Sequence, residues 1–133
     1  MRLMRNQHAT HIDFFQFKGL IESNPKATPC NIDMVFERKC KFFVGEWKRE
    51  GERISQGQGL LLLNLAKQPQ FTVVIIQGNT DGETVVEKFE QLCPDGRFRV
   101  RGKSFDDLKK FVTRWYDWAN TEEQLRGKAD VVA

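Results

Sequence analysis

Asp33 and Glu46 lie inside the apolar runs NIDMVF and FFVGEWK, where a carboxylate is costly unless it is paired or holds a metal. Residues 32–37 and 41–48 read as strands, rich in Val, Phe, Ile and Trp, with Arg38-Lys39-Cys40 as the polar break between them. Apolar residues on both faces of these runs predict central strands covered on both sides. A hairpin with a two-residue loop at Lys39-Cys40 pairs residues whose numbers sum to 79, setting Asp33 opposite Glu46. Alternation along the strand then places Asp33, Glu46 and Lys48 on one face and Trp47 on the other. Lys-Cys is not a favoured pair for such a loop, and a one-residue slip would part the three.

Directly opposed residues have Cβ atoms ~5 Å apart, close enough for two carboxylates to share a divalent cation. Carboxylates are hard oxygen ligands suited to Mg²⁺ or Mn²⁺, and two of them leave coordination positions for water and a phosphate oxygen. Such a cation lowers the pKa of water and offsets charge on phosphorus, and a lysine beside it can orient water or stabilise the transition state. An E-x-K triplet on a strand is commonly a surface ion pair. This one differs in its apolar setting and in the helix start that follows, where Ser55, Gly57, Gln58 and Gly59 bring slim backbone and an amide nearby. Ser55-x-x-Gln58 is also a complete capping-box signature, so Gln58 is the member of the set with the simplest structural explanation.

In chain order, residues 11–23 place Ile12, Phe15, Leu20 and Ile21 near helical spacing, with Thr10 and Asp13 as a start signal and Asn24-Pro25 as a stop. Residues 55–67 read as a Leu-rich, well-buried helix ended by Gln68-Pro69, and FTVVIIQ (71–77) as a buried strand. GNTDG is a turn, residues 83–92 fit a strand or a short helix, and Arg97 to Arg101 alternate as a half-exposed strand. Ser104 and Asp107 open a last helix with Phe105, Leu108, Phe111, Val112, Trp115 and Ala119 in one stripe. The order predicts a mixed α/β (α+β) domain, a small mixed central sheet flanked by helices. Residues 1–120 form that single domain and 121–133 a polar C-terminal tail.

At Asp33, Glu46-Trp47-Lys48, the Ser55-Gln56-Gly57-Gln58 helix start and the strand FTVVIIQG, the chain resembles the PD-(D/E)XK nuclease superfamily. It looks closest to the small single-domain phage-type members and to the VRR-NUC and archaeal junction-resolvase branches. The resemblance covers about residues 11–78, its strong part 31–78. It implies a restriction-endonuclease-like core and a Mg²⁺- or Mn²⁺-dependent DNA endonuclease. Asp33, Glu46 and the Trp47 carbonyl would be metal ligands, Lys48 catalytic, and Gln58 a support of the site or a DNA contact. No proline directly precedes Asp33, and a further acidic ligand from the first helix would be Asp13 or Glu22, Asp13 serving equally as a cap.

Lys48, Arg49 and Arg53 beside the site are the candidates for phosphate contacts. Arg97, Arg99 and Arg101 share a strand face and read better as the solvated side of an edge strand. Trp115 reads as core rather than as a base-stacking platform. His8 and His11 at i, i+3 read as incidental. The formal charge of +3 permits a polyanionic partner without demanding one. Three cysteines without C-x-x-C spacing point to thiols in a reducing compartment, and neither a secretory leader nor a membrane span is recognisable. The expected setting is therefore cytoplasmic, with DNA as partner, no membrane and no small-molecule cofactor. A homodimer is expected where both strands are cut.

Overall fold

The computed structural model describes residues 13–121. Their framework is a five-stranded mixed sheet with one helix on each face. The strands are β1 (Met34–Arg38), β2 (Lys41–Lys48), β3 (Phe71–Asn79), β4 (Val85–Leu92) and β5 (Phe98–Gly102); the helices are α1 (Gln56–Ala66) and α2 (Phe105–Thr121). Spatial order follows chain order, and every neighbouring pair is antiparallel except β2 and β3, which run parallel across the α1 connection. The mixed α/β class expected from the sequence is the class observed, and the segment 83–92, which fitted a strand or a short helix, is strand from Val85 to Leu92.

The β1–β2 hairpin has the register that the two-residue loop requires, with Met34 against Gly45 and Arg38 against Lys41. Lys39 and Cys40 take φ of 52° and 65°, the left-handed conformations of the tight hairpin turn. The chain accepts an unfavourable pair there because the tip is tied down. Arg38 Nε donates to Asn120 Oδ1 at 2.7 Å, Lys39 Nζ to the Asn120 carbonyl at 3.0 Å, and the Cys40 amide to Glu37 Oε2 at 2.9 Å.

Alternation along β2 and β3 separates two cores. Phe43, Val74, Ile76 and Phe89 pack with Leu108, Trp115 and Ala119 of α2 on one face. Val44, Val73 and Leu92 pack with Leu62 and Ala66 of α1 on the other. The α1 boundaries agree with the sequence signals: Ser55 caps it and Lys67 closes it. It is less buried than its Leu run predicts, since only Leu62 and Ala66 are fully enclosed and Leu60 is exposed. Ser104 Oγ accepts from the Asp107 amide at 3.0 Å to start α2. Gly78 sits at a register shift against β4, where a Cβ would fall 2.0 Å from the Val85 carbonyl oxygen.

Two expectations are corrected. The helix over 11–23 is, within the described residues, a single 3₁₀ turn at Phe15–Phe17. The Asp13 carboxylate takes the Phe15 amide at 2.9 Å and Gly19 turns the chain at φ +77°. Phe15, Leu20 and Ile21 are left exposed, because apolar spacing without a groove to fill does not hold a helix. Second, β1 is an edge strand among the described residues rather than a central one, with Val35 and Phe36 exposed, because β3 takes the far side of β2 and no described strand pairs beyond β1. The expectations for His8, Thr10, His11, Ile12 and residues 122–133 lie outside the described residues.

Replacing Cys40 by Gly relieves one left-handed non-glycine residue. Its expected effect is a gain of about 1 kcal/mol in unfolding free energy, read as a higher denaturation midpoint at unchanged m-value. A loss would show that the tight turn does not set the hairpin.

Candidate functional site

The hairpin register, extended one residue past β1, sets Asp33 against Glu46, and the side chains meet as the alternation requires. Asp33 Oδ2 accepts from the Trp47 amide at 2.9 Å. This pins the carboxylate to the edge of β2 where β1 has ended. The Trp47 carbonyl shares that edge, since a strand residue directs its N–H and C=O to the same side. The Trp47 indole lies on the opposite face against the α2 core.

Glu46 is the buried member, only 3% exposed in the middle of the sheet. Its Oε2 accepts a short hydrogen bond from Gln58 Nε2 and lies 3.8 Å from Lys48 Nζ. Lys48 Nζ in turn donates to Gln58 Oε1 at 3.0 Å. Gln58 thus bridges Glu46 and Lys48 from the first turn of α1, its amide nitrogen donating to the carboxylate and its amide oxygen accepting from the ammonium. Glu46 Oε1 is buried with no hydrogen-bond partner among the described residues. A carboxylate oxygen enclosed in protein without a donor is expensive unless something positive completes it.

Electrostatics point the same way. Burial first, and the neighbouring Asp33 carboxylate second, push the Glu46 carboxyl above the ordinary carboxylate range, with Lys48 opposing the shift. Asp33 itself is exposed, so the pair consists of one enclosed carboxylate and one that opens to solvent.

The donor set suits a hard divalent cation: carboxylates of Asp33 and Glu46, with the Trp47 carbonyl on the same strand edge. The unpartnered Glu46 oxygen is the observation that makes it fit. Asp13 caps the Phe15 turn and Glu22 is exposed, and no group of three His, Cys, Asp or Glu gathers among the described residues. Among the described residues, neither Asp13 nor Glu22 joins Asp33 and Glu46.

The expected capping box is half formed. The Gln58 amide donates to Ser55 Oγ at 3.2 Å, while the Gln58 side chain turns to Glu46 and Lys48 instead of back to the cap. Gly57 contributes no close approach, since a Cβ there would meet nothing within 4 Å. Of the expected phosphate contacts, Arg49 is engaged with the Asp81 carboxylate, and Arg53 is exposed with no carboxylate partner among the described residues. Arg97 and Arg99 face Asp95, and Arg101 Nε donates to Gln91 Oε1. These three arginines are the self-satisfied edge of β5. Trp115 is buried core.

A groove of about 640 Å³ opens from Lys48 between the 49–54 loop, the start of α1 and the exposed part of the sheet, reaching Lys88 and Phe98. Those two residues had no signal in the sequence. They join the site only through the β3–β4 and β4–β5 pairings, which the local pattern does not encode. All three cysteines are thiols, Cys30 and Cys40 exposed and Cys93 buried. No helix among the described residues is long and apolar enough to cross a membrane. Comparison with family models, curated proteins and solved structures found no match, so the likeness to nucleases rests on the site residues and their order.

Because the folded Glu46 carboxyl holds its proton more tightly than the unfolded chain does, stability falls as pH rises from the ordinary carboxylate value through the raised one. Above that window the cost of the buried anion is fully present. Glu46→Gln keeps the acceptor for Gln58 and removes the charge. In EDTA at neutral pH the variant is expected to be more stable by about 1 kcal/mol, with that part of the pH dependence gone. Mg²⁺ or Mn²⁺ should raise the wild-type Tm and leave the variant unmoved. A variant less stable than wild type at neutral pH would contradict this assignment.

Proposed function

We propose that this chain is a metal-dependent DNA endonuclease of PD-(D/E)XK type with a restriction-endonuclease-like core, hydrolysing phosphodiester bonds at Asp33, Glu46 and Lys48. The observation that carries the reading is the enclosed, unpartnered Glu46 oxygen beside a second carboxylate and a tethered lysine. Mg²⁺ or Mn²⁺ held by Asp33 and Glu46, with the Trp47 carbonyl as a further oxygen, would supply the charge neutralisation and activated water that phosphodiester hydrolysis needs.

The protein's own groups have separable tasks. Glu46 gives the charge that recruits the cation, and the sheet interior keeps it from being spent on water. Asp33, on the solvent side, completes the pair and leaves an open approach for a phosphate. Lys48, held by Gln58 Oε1, presents its ammonium to the same space, where it can stabilise charge developing on phosphorus or orient water. Gln58 is a positioning residue, fixing the relative placement of Glu46 and Lys48. Arg53 and Lys48 are the candidate backbone contacts, with Arg49 available only at the expense of Asp81.

One such site cuts one strand. Nicking is therefore the activity of a monomer, and double-strand cleavage that of a homodimer. A DNA substrate and three thiols fit a cytoplasmic setting.

The test is incubation of the protein with supercoiled, linear, single-stranded and branched DNA in Mg²⁺ or Mn²⁺, with the solution mass measured in parallel. Asp33→Ala and Lys48→Ala are each expected to lower cleavage by at least about a hundredfold. Gln58→Ala should lower it by roughly 10- to 100-fold, as expected when the partner orienting a reactive group is removed. Equal behaviour of wild type and Asp33→Ala on every substrate would rule the reading out. Salt-sensitive DNA binding that survives EDTA, with no nicking, would assign the fold to a non-catalytic binding module instead.

A further inference from the structure

The strand registers align three polar side chains in a row across the sheet: Lys48 of β2 faces Gln77 of β3, which faces Lys88 of β4. All three line the groove that begins at the candidate site. Successive strands are about 4.8 Å apart, so Lys48 and Lys88 are roughly 10 Å apart along the floor. Lys88 is half-buried and, like Arg53 on the wall, forms no ion pair among the described residues; with Arg49 and Lys48 these cations outnumber the two carboxylates of the lining, Glu52 and Glu90. Gln77 is held in place by its hydrogen bond to Glu87 at 2.8 Å. The apolar surface of the groove comes from Ile54, Ile75 and Phe98, the last 49% exposed on β5.

These features select among forms of DNA. At about 640 Å³ the groove has the volume of a small-ligand pocket. An intact duplex keeps its bases paired and stacked inside, so it has no free base face to lay on an aromatic ring in such a groove. An unpaired strand suits it, because its backbone can follow the cations while its bases turn to an aromatic face. Lysines recessed beside an exposed ring are the pairing that single-strand binding uses. A duplex would need cations on a convex or open surface.

We propose that this groove binds an unpaired DNA strand next to the candidate site, with Lys88 and Arg53 on its phosphates and a base stacked on Phe98. The inference takes DNA as the ligand from the reading above and makes its substrate class single-stranded or frayed rather than intact duplex. Phe98 and Lys88 then determine specificity without taking part in hydrolysis.

The experiment measures binding in EDTA, by fluorescence anisotropy at low salt, of a labelled single-stranded oligonucleotide and of the blunt duplex of the same sequence. Wild type is expected to bind the single strand at least tenfold more tightly than the duplex. Phe98→Ala should weaken single-strand binding about tenfold, and Phe98→Trp should retain it, which separates stacking from a folding defect. Lys88→Glu should weaken it and flatten its salt dependence. Lys109→Glu, the same charge change on the opposite face of the sheet, should leave it unchanged. Duplex binding as tight as single-strand binding, or Phe98→Ala indistinguishable from wild type, would overturn the proposal. Because no metal is present, this outcome is independent of the cleavage assay. Single-strand binding without nicking removes the catalytic reading alone, and nicking that ignores Phe98 removes this one alone.

Discussion

The site is organised by a buried carboxylate that the protein only half satisfies. Glu46 sits in the central parallel strand pair, enclosed by the α1 core and the sheet, with one oxygen on the Gln58 amide and the other without a hydrogen-bond donor among the described residues. A fold seeking stability alone would place a valine or leucine there, as it does at Val44 and Val73 on the same face. The cost is tolerated because the geometry around it is fixed from three directions. The hairpin register sets Asp33, β2 sets Lys48, and the first turn of α1 sets Gln58. Local conflict with the rules of burial, surrounded by elements that obey them, is the pattern expected of a functional site.

Each of those three directions has a separate origin in the chain. The two-residue turn at Lys39-Cys40 leaves one register for the hairpin, and that register decides whether Asp33 meets Glu46 or faces away. The parallel β2–β3 pair demands a crossover, and α1 is that crossover. Its N-terminus therefore arrives at the carboxyl end of β2, where Glu46 and Lys48 lie. Ser55 stops the helix from starting later, keeping Gln58 in the first turn. Two lysines and a glutamine in one cross-sheet row then continue the polar surface out of the site and into the groove.

Much of this was legible in the sequence because it depends on short-range patterns. Strand alternation and a fixed loop length gave Asp33 opposite Glu46, and Ser55 with Gln68-Pro69 bounded the helix to within a residue. The role of Gln58 was ambiguous for a specific reason. Capping uses its backbone N–H and bridging uses its side-chain amide, so one residue satisfies both descriptions and its spacing from Ser55 does not choose between them. The first helix failed differently. Phe15, Leu20 and Ile21 have the right spacing, but periodicity does not reveal whether another element offers a groove to receive them. The edge position of β1, and the alignment of Lys88 with Lys48, depend on pairings between distant segments and on a register shift at Gly78. Nothing local encodes either.

The central claim is that Asp33 and Glu46 together hold a divalent cation. The most direct measurement is a titration of the isotopically labelled protein with Mn²⁺ followed by NMR, since paramagnetic broadening marks the residues nearest the ion. The account predicts that the Trp47 and Gln58 backbone amides broaden first, at substoichiometric Mn²⁺, and that Glu46→Gln abolishes the effect. Broadening confined to other acidic surfaces, such as Asp106 and Asp107 at the start of α2, with Trp47 and Gln58 unaffected, would contradict it.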